Sequence, residues 1–449
     1  MIADWKQTTI PHMDASNNIF RHAERRRALQ QRMGKGIAII PTSPERIRSR
    51  DSDYPYRFDS YFYYLCAFPE PEAVLVLIAG DEPRSILFCR ERNPERELWE
   101  GFRRGPEGAR NSFGIDEAHS MSSLDEQMPK LLANQPALHY APGADSGWDA
   151  RVLGWLNQVR AQSRAGIAAP TAIHDVRAAL DEMRVVKDDI EIAVMRRAAV
   201  ISAAAHERAM RATRPGRNEY EIEAELMYEF RRRGSQFPAY WPIVAGGASA
   251  CVLHYRDNNA RLAEGELLLI DAGCELDGYA SDLTRTFPVS GKFSGAQRDI
   301  YELVLAAQSA AISAVKAGNR WDEPHNAAVN TLAQGFIDLG LCQSPLDKVI
   351  ETEDYKRFYM HRTGHWLGLD VHDAGEYKSG GEWRRLEPGM ALTVEPGCYI
   401  RPAGNVPQAF WNIGVRIEDD VVVTPSGCEV LTAAAPKSVR DIEALVGRG

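Results

Sequence analysis

LLLIDAGCELDGYASDLTRTF, residues 267–287, decides the fold of the second half of this 449-residue chain. Residues 267–270 are an unbroken apolar run, the mark of a buried strand, and the run delivers Asp271 at its end. Asp277-Gly278 is a hairpin signal, because both central positions of such a turn need positive φ. With those two residues at the loop centre, Asp271 pairs with Thr284; centring the turn one residue earlier sets Asp271 opposite Asp282. In both registers Asp271 and Asp282 point to one side of the hairpin, since side chains alternate with period two. Two carboxylates that close repel unless something positive lies between them, and a metal ion is the obvious candidate.

Three further segments place charged or imidazole side chains at the edges of apolar runs. HRTGHWLGLDVHD, residues 361–373, holds His361, His365 and His372. In LTVEPGCYI, residues 392–400, Glu395 ends an apolar strand and Pro396 keeps it extended. In GVRIEDDVVV, residues 414–423, Arg416 and Glu418 alternate with Val415 and Ile417 and so share one face. His254 stands alone in CVLHYRDN, just before the first hairpin strand. Any one of these groups by itself reads as a turn, a solvated strand end or a satisfied core histidine. Four carboxylates and an imidazole gathered in one half of the chain read as a metal site. Oxygen-rich ligation with one histidine suits Mn²⁺, Fe²⁺, Co²⁺ or Zn²⁺ and not a thiolate centre.

The rest of the chain bounds this reading. Fifty-three Lys and Arg against 62 Asp and Glu give a formal net charge of −9, which argues against a nucleic-acid surface. Hydrophobic residues at 44% and charged residues at 26% supply a sizeable core and exclude wholesale disorder. No apolar run is long enough to cross a membrane, and the first 33 residues carry no apolar signal core. Seven cysteines without a C-x-x-C pair fit a reducing cytoplasm and no disulfide framework.

Residues 1–180 read as a mixed α/β domain with no chemistry of its own: a charged helix at 19–33, strands at 36–40, 73–78 and 85–88, and helices at 122–132 and 148–159. Residues 181–449 read as α+β. A long helix starts after Asp188 or Asp189, with Ile190, Val194, Ala198, Ile201 and Ala205 on one face. Helices follow at 219–231, 294–315 and 321–339, and strands at 266–272, 279–289, 390–395 and 413–423.

The second half resembles the pita-bread metallopeptidases, the superfamily of methionine aminopeptidase, prolidase and aminopeptidase P. Their dinuclear site takes two Asp, one His and two Glu in chain order, which here fall on Asp271, Asp282, His365, Glu395 and Glu418. The segments 269–294, HWLGLDVHD, LTVEPG and GVRIEDD are most similar to bacterial aminopeptidase P. Residues 51–77, DSDYPYRFDSYFYYLCAFPEPEAVLVL, resemble its creatinase-like N-terminal domain. One departure is Arg362, where the family more usually has a small residue.

The resemblance implies a fold, an α/β creatinase-like domain followed by an α+β pita-bread domain, and an activity, release of the N-terminal residue from peptides with proline second. It implies two divalent ions, manganese first and zinc, cobalt or iron as alternatives, with Asp282 and Glu418 as bridges. His254, His361 and His372 would surround the substrate, with His361 donating to the oxyanion and Glu395 shuttling the proton. Arg416 would hold a bridging carboxylate. Trp99, in RELWEGF, is similar to a residue that family members present to a neighbouring subunit's site, so a dimer or tetramer is expected. The competing readings are a prolidase, for which Arg362, Arg384 or Arg401 would clamp the proline carboxylate, a creatinase-like hydrolase without metal, and a binding module that has lost catalysis.

Overall fold

The computed structural model describes residues 15–448, with side chains from residue 20. The segment read for a signal core begins in residues 1–14, which lie outside the described part. The chain divides into two compact units, Met1–Asp181 and Glu182–Gly449.

In the first unit, short apolar runs bounded by turn residues become a six-stranded sheet in the spatial order Glu117–Ser120, Arg84–Cys89, Val74–Ala79, Gly36–Pro41, Ala137–Tyr140, Ala172–Asp175. The inner pairings of Gly36–Pro41, Val74–Ala79 and Arg84–Cys89 are antiparallel and the remaining ones parallel. One face is buried against Met128, Leu132, Trp155 and Leu156 of the helices Leu124–Leu132 and Ser146–Arg160.

The second unit opens with the helix Asp189–Ala212. Asp188 caps it, and Glu191 closes a reciprocal capping box. The helices Glu219–Arg232, Gly295–Ala314 and Glu323–Asp338 follow. Two long hairpins carry the chemistry. In the first, Asp271 pairs with Thr284, the first of the two registers considered, and Asp277 and Gly278 take φ of 50° and 84°, as that turn requires. In the second, Ala391–Val394 pairs with Asp419–Thr424, and Gly397–Ile400 with Ile413–Arg416.

Both hairpins differ from the continuous strands expected at 279–289 and 413–423. The first breaks between Tyr279–Ala280 and Thr284–Pro288, and the second between Ile413–Arg416 and Asp419–Thr424. Apolar alternation runs through these breaks, so the sequence pattern does not show them. The reason is a change of sheet: the outer and inner parts of each hairpin pair in separate ladders. Val394 opposes Asp419 and Gly397 opposes Arg416, so Glu395 falls opposite Glu418 where the ladder opens. In the first hairpin the opening lies at 272–273 against 281–283. There a Cβ on Gly273 would sit 1.6 Å from the Ser281 carbonyl oxygen, so only glycine fits. Each opening frees carboxylates from the ladder to converge.

Candidate metal centre and active site

Asp271, at the end of Leu267–Asp271, and Asp282, in the break of the same hairpin, meet over one tyrosine. The Tyr240 hydroxyl lies 2.5 Å from Asp271 Oδ1 and also hydrogen-bonds Asp282 Oδ1. From the second hairpin come Glu395 and Glu418. Asp282, His365 and Glu418 have ligand atoms all within 4.8 Å of one another. His365 Nε2 is 3.3 Å from Asp282 Oδ2 and 3.7 Å from Glu395 Oε1. The hairpins are joined at this point by backbone, the Glu418 N–H donating to the Thr284 carbonyl at 3.1 Å, and by the Thr284 hydroxyl donating to Glu418 Oε2 at 2.7 Å.

The electrostatics are those of a site short of positive charge. Burial raises Glu418 well above the ordinary carboxylate range, and Asp282, Glu395 and Asp271 add to it. Burial likewise lifts Glu395 to about 7, against the opposing pull of His365 and Arg416. Asp271 is raised by burial and by Asp282 despite Arg416. Burial alone would lower His365, but Asp282 and Glu395 prevail and push it up to about 9. Asp282 is lowered: burial opposes ionisation, and the hydrogen bond to His365 outweighs it. Two buried and two half-buried carboxylates, one imidazole and a hydroxyl proton shared between two aspartates fit a pair of hard or borderline divalent cations. The oxygens are gathered, and among the described residues Arg416 is the one Lys or Arg side chain that hydrogen-bonds any of them.

The structure gathers all nine residues expected at the site around one cavity of about 490 Å³: Asp271, Asp282, His254, His361, His365, His372, Glu395, Arg416 and Glu418. Two details differ from expectation. Arg416 Nη2 pairs with Asp271 at 2.6 Å, not with either expected bridge, and reaches Glu418 only through the Thr284 hydroxyl, 3.3 Å from its Nε. His361 spends its Nδ1–H on the Arg362 carbonyl at 2.8 Å. Its Nε2 lies 2.9 Å from the Tyr399 hydroxyl, which itself accepts from Arg416 at 3.0 Å. Burial and Arg416 push His361 down to about 3, so the ring is neutral and has no spare N–H for an oxyanion in this arrangement. His254 and His372 are exposed on the cavity wall and make no hydrogen bond among the described residues; the His372 ring stands 4.3 Å from that of His365, edge-on.

Of the three arginines considered as a carboxylate clamp, Arg384 is bound to Glu182, and Arg401 lines a neighbouring cavity and donates to the Cys251 carbonyl at 2.9 Å. Arg362 lines the carboxylate cavity. Sequence reasoning missed Tyr240, Tyr399 and Thr284. All three are polar groups on apolar or aromatic segments, and only the neighbours they meet in space give them meaning.

The metallopeptidase family M24 model matches residues 193–425, and the aminopeptidase P N-terminal domain model matches residues 22–139. The chain belongs to metallopeptidase family M24. It is 44% identical over 425 residues to the Xaa-Pro aminopeptidase of Escherichia coli K12, covering 94% of this chain and 96% of that one. Among solved structures, Pseudomonas aeruginosa aminopeptidase PepP superposes with a TM-score of 0.94 at 51% identity, over 96% of this chain and 98% of that one. A zinc-substituted Escherichia coli aminopeptidase P in complex with product gives 0.93 at 44% identity, over 95% and 98%. The fold is therefore the aminopeptidase P arrangement, an N-terminal aminopeptidase P domain followed by the M24 pita-bread domain.

Proposed function

We propose that this M24 chain is a metal-dependent Xaa-Pro aminopeptidase, releasing the N-terminal residue from peptides whose second residue is proline. The observation that carries the reading is the convergence of Asp271, Asp282, Glu395 and Glu418, from two opened hairpins, on one cavity with His365, with none of the five replaced. Full-length similarity to Xaa-Pro aminopeptidase supports the substrate class. A binding module without catalysis, or a hydrolase working without metal, has no use for four gathered carboxylates that repel one another.

These five residues would hold two divalent ions, manganese first among Mn²⁺, Zn²⁺, Co²⁺ and Fe²⁺, which when bound supply Lewis acidity and lower the pKa of water. Glu395 is the group that moves the proton. It takes one from the attacking water and returns it to the proline nitrogen as the C–N bond breaks. The scissile amide nitrogen is tertiary and offers no N–H, so recognition falls on its carbonyl and ring. His254 and His372 have N–H groups free to meet a carbonyl oxygen. His361 is a positioning residue here, held by Tyr399 and Arg416.

Residues 181–449 hold the chemistry in this proposal, and residues 1–180 make subunit contacts in a dimer or tetramer. The helix Pro94–Glu100 supports the second part: Leu98, Trp99 and nearby Phe102 are exposed large apolar groups. All seven cysteines are free, which supports a cytoplasmic location, and the acidic balance supports no nucleic-acid partner. Among the described residues no helix is long and apolar enough to cross a membrane. Arg384 is tied to Glu182, which weakens the dipeptidase reading.

The test is release of alanine from an Ala-Pro-Xaa-Xaa peptide and from Ala-Pro by chelator-treated protein reloaded with Mn²⁺, Co²⁺ or Zn²⁺. The longer peptide should be cleaved at least as well, and only after reloading. Strict preference for the dipeptide would make the chain a prolidase; full activity in metal-free protein would end the dinuclear reading.

A further inference from the structure

The floor of the catalytic cavity is acidic, but two arginines enter the same cavity and have no acid of their own. Arg362 follows His361 in the loop that carries three of the site histidines, and Arg256 comes two residues after His254. Both are exposed, and among the described residues neither guanidinium makes a hydrogen bond or an ion pair. Elsewhere in this unit arginines near the site are committed: Arg416 to Asp271, Arg285 to Asp419, Arg384 to Glu182.

Arg362 is held in place without a carboxylate. Its guanidinium carbon lies 5.5 Å from the centroid of Trp383, and Lys378 Nζ lies 4.2 Å from the same ring. Lys378 and Trp383 are register partners in the small hairpin Lys378–Ser379 with Glu382–Trp383. Two cations on one indole, with a third at Arg256 on the shared cavity, repel one another and gain only when an anion comes between or beside them.

We infer that Arg256 and Arg362 form an outer subsite for a carboxylate on the part of the peptide beyond the proline. The inference rests on the aminopeptidase reading. With the scissile bond at the carboxylate floor, an extended chain advances about 3.3–3.6 Å per residue towards the cavity mouth. The third and fourth residues therefore pass the exposed arginines. Arginine accepts a carboxylate in a forked, charge-assisted pair, and a lysine side chain at the same place meets like charge. The carboxylate has two sources, an Asp or Glu side chain or the free C-terminus of a short peptide. The subsite selects between peptides and takes no part in bond breaking.

The experiment measures kcat/KM of the Mn²⁺-loaded enzyme on Ala-Pro-Asp-Ala-amide, Ala-Pro-Asn-Ala-amide and Ala-Pro-Lys-Ala-amide, and on Ala-Pro-Ala as free acid and as amide. The Asp peptide should exceed the Lys peptide by about tenfold at low salt, mainly through KM, and the ratio should shrink as ionic strength rises. The free-acid pair tells whether a C-terminal carboxylate serves as well; a preference in either pair supports the subsite. Arg256→Gln with Arg362→Gln should bring the ratios to near one, and Arg256→Lys with Arg362→Lys should restore part of them. Ratios within about twofold in the native enzyme, or unchanged in the glutamine variant, overturn the inference. Failure to cleave even the neutral Asn peptide would instead overturn the aminopeptidase reading beneath it.

Discussion

Glu418 and Asp419 are adjacent in the chain and equally buried, at 1% and 0% exposure, yet their surroundings are opposite. Asp419 has its cations built in. Arg285 lies 2.7 Å away and Lys437 2.6 Å, and Gln308 and Thr432 donate at 3.0 and 2.8 Å. Burial works against its ionisation, and Arg285 and Lys437 overcome it and hold the carboxyl below the usual range. Glu418 has one hydroxyl donor and three other carboxylates, so its carboxyl is raised. A chain that can place an arginine beside one buried acid and leaves the next without one fits the proposal that the second position takes a cation from outside. The Asp419 cluster is structural. It fixes the backbone from both sides, with Arg285 also donating to the Glu418 carbonyl at 2.6 Å and Asp420 accepting the Asp282 N–H at 3.0 Å.

The sharpest way to break this comparison is to remove a charge from the uncompensated cluster. Asp282→Asn and Glu418→Gln should each lose bound metal and lower Xaa-Pro turnover by roughly 10³-fold or more. Elemental analysis beside a turnover assay checks both; a variant with full metal content would detach these residues from the centre. Stability of the metal-free protein should respond in the other order. Asp419→Asn leaves Arg285 buried and unpaired and should cost about 3–5 kcal/mol. Glu418→Gln removes a repelled charge and should leave the urea midpoint at or above the native one. Equal losses from both substitutions would erase the distinction between the neighbours.

His361 offers a smaller contrast, within the imidazoles. His365→Ala should release metal, and His361→Ala should retain it and lose turnover by roughly 10²-fold through misplacement of the groups it positions. Unchanged turnover in His361→Ala would remove that ring, and with it its contact to Tyr399 and Arg416, from the working site.

Much of this was legible in residues that obey local rules. Apolar runs ending in Asp271 and Glu395 gave two strand ends, the Asp277-Gly278 turn narrowed the register to two, of which the first is the one formed, and Asp188 or Asp189 marked the long helix's start, Asp188 being the cap. Chain order alone, read through the family resemblance, named the five proposed metal donors, all of which line one cavity. What stayed hidden depends on contacts between distant segments. Breaks at 281–283 and 417–418 interrupt strands whose alternation continues, because the partner changes and the pattern does not. Tyr240 and Thr284 carry no local signal at all, and the pairing of Arg416 with Asp271 joins residues 145 apart in the chain.

A third solution to burying a polar group is to keep it neutral, and His206 supplies the smallest and most separable test. It is fully buried on the helix Asp189–Ala212, and Nε2–H donates to the carbonyl of Ala272, next to Asp271, at 2.9 Å. Its Nδ1 has no partner among the described residues, so protonation there would bury an uncompensated charge. Burial, with a further contribution from Arg285, pushes its pKa from 6.5 down to about 4. Between those values the unfolded chain binds a proton that the folded one refuses. The contribution is therefore complete above pH 6.5 and declines as pH falls towards 4, by about 1.4 kcal/mol per pH unit. His206→Gln keeps a donor for the Ala272 carbonyl and has nothing to titrate. Urea midpoints of the metal-free proteins at pH 7.5 and pH 5 should show the native chain losing about 2 kcal/mol more than the variant over that interval. The same loss in both proteins would mean that His206 carries its proton in the folded state, and that the interior beneath Asp271 holds compensating charge after all.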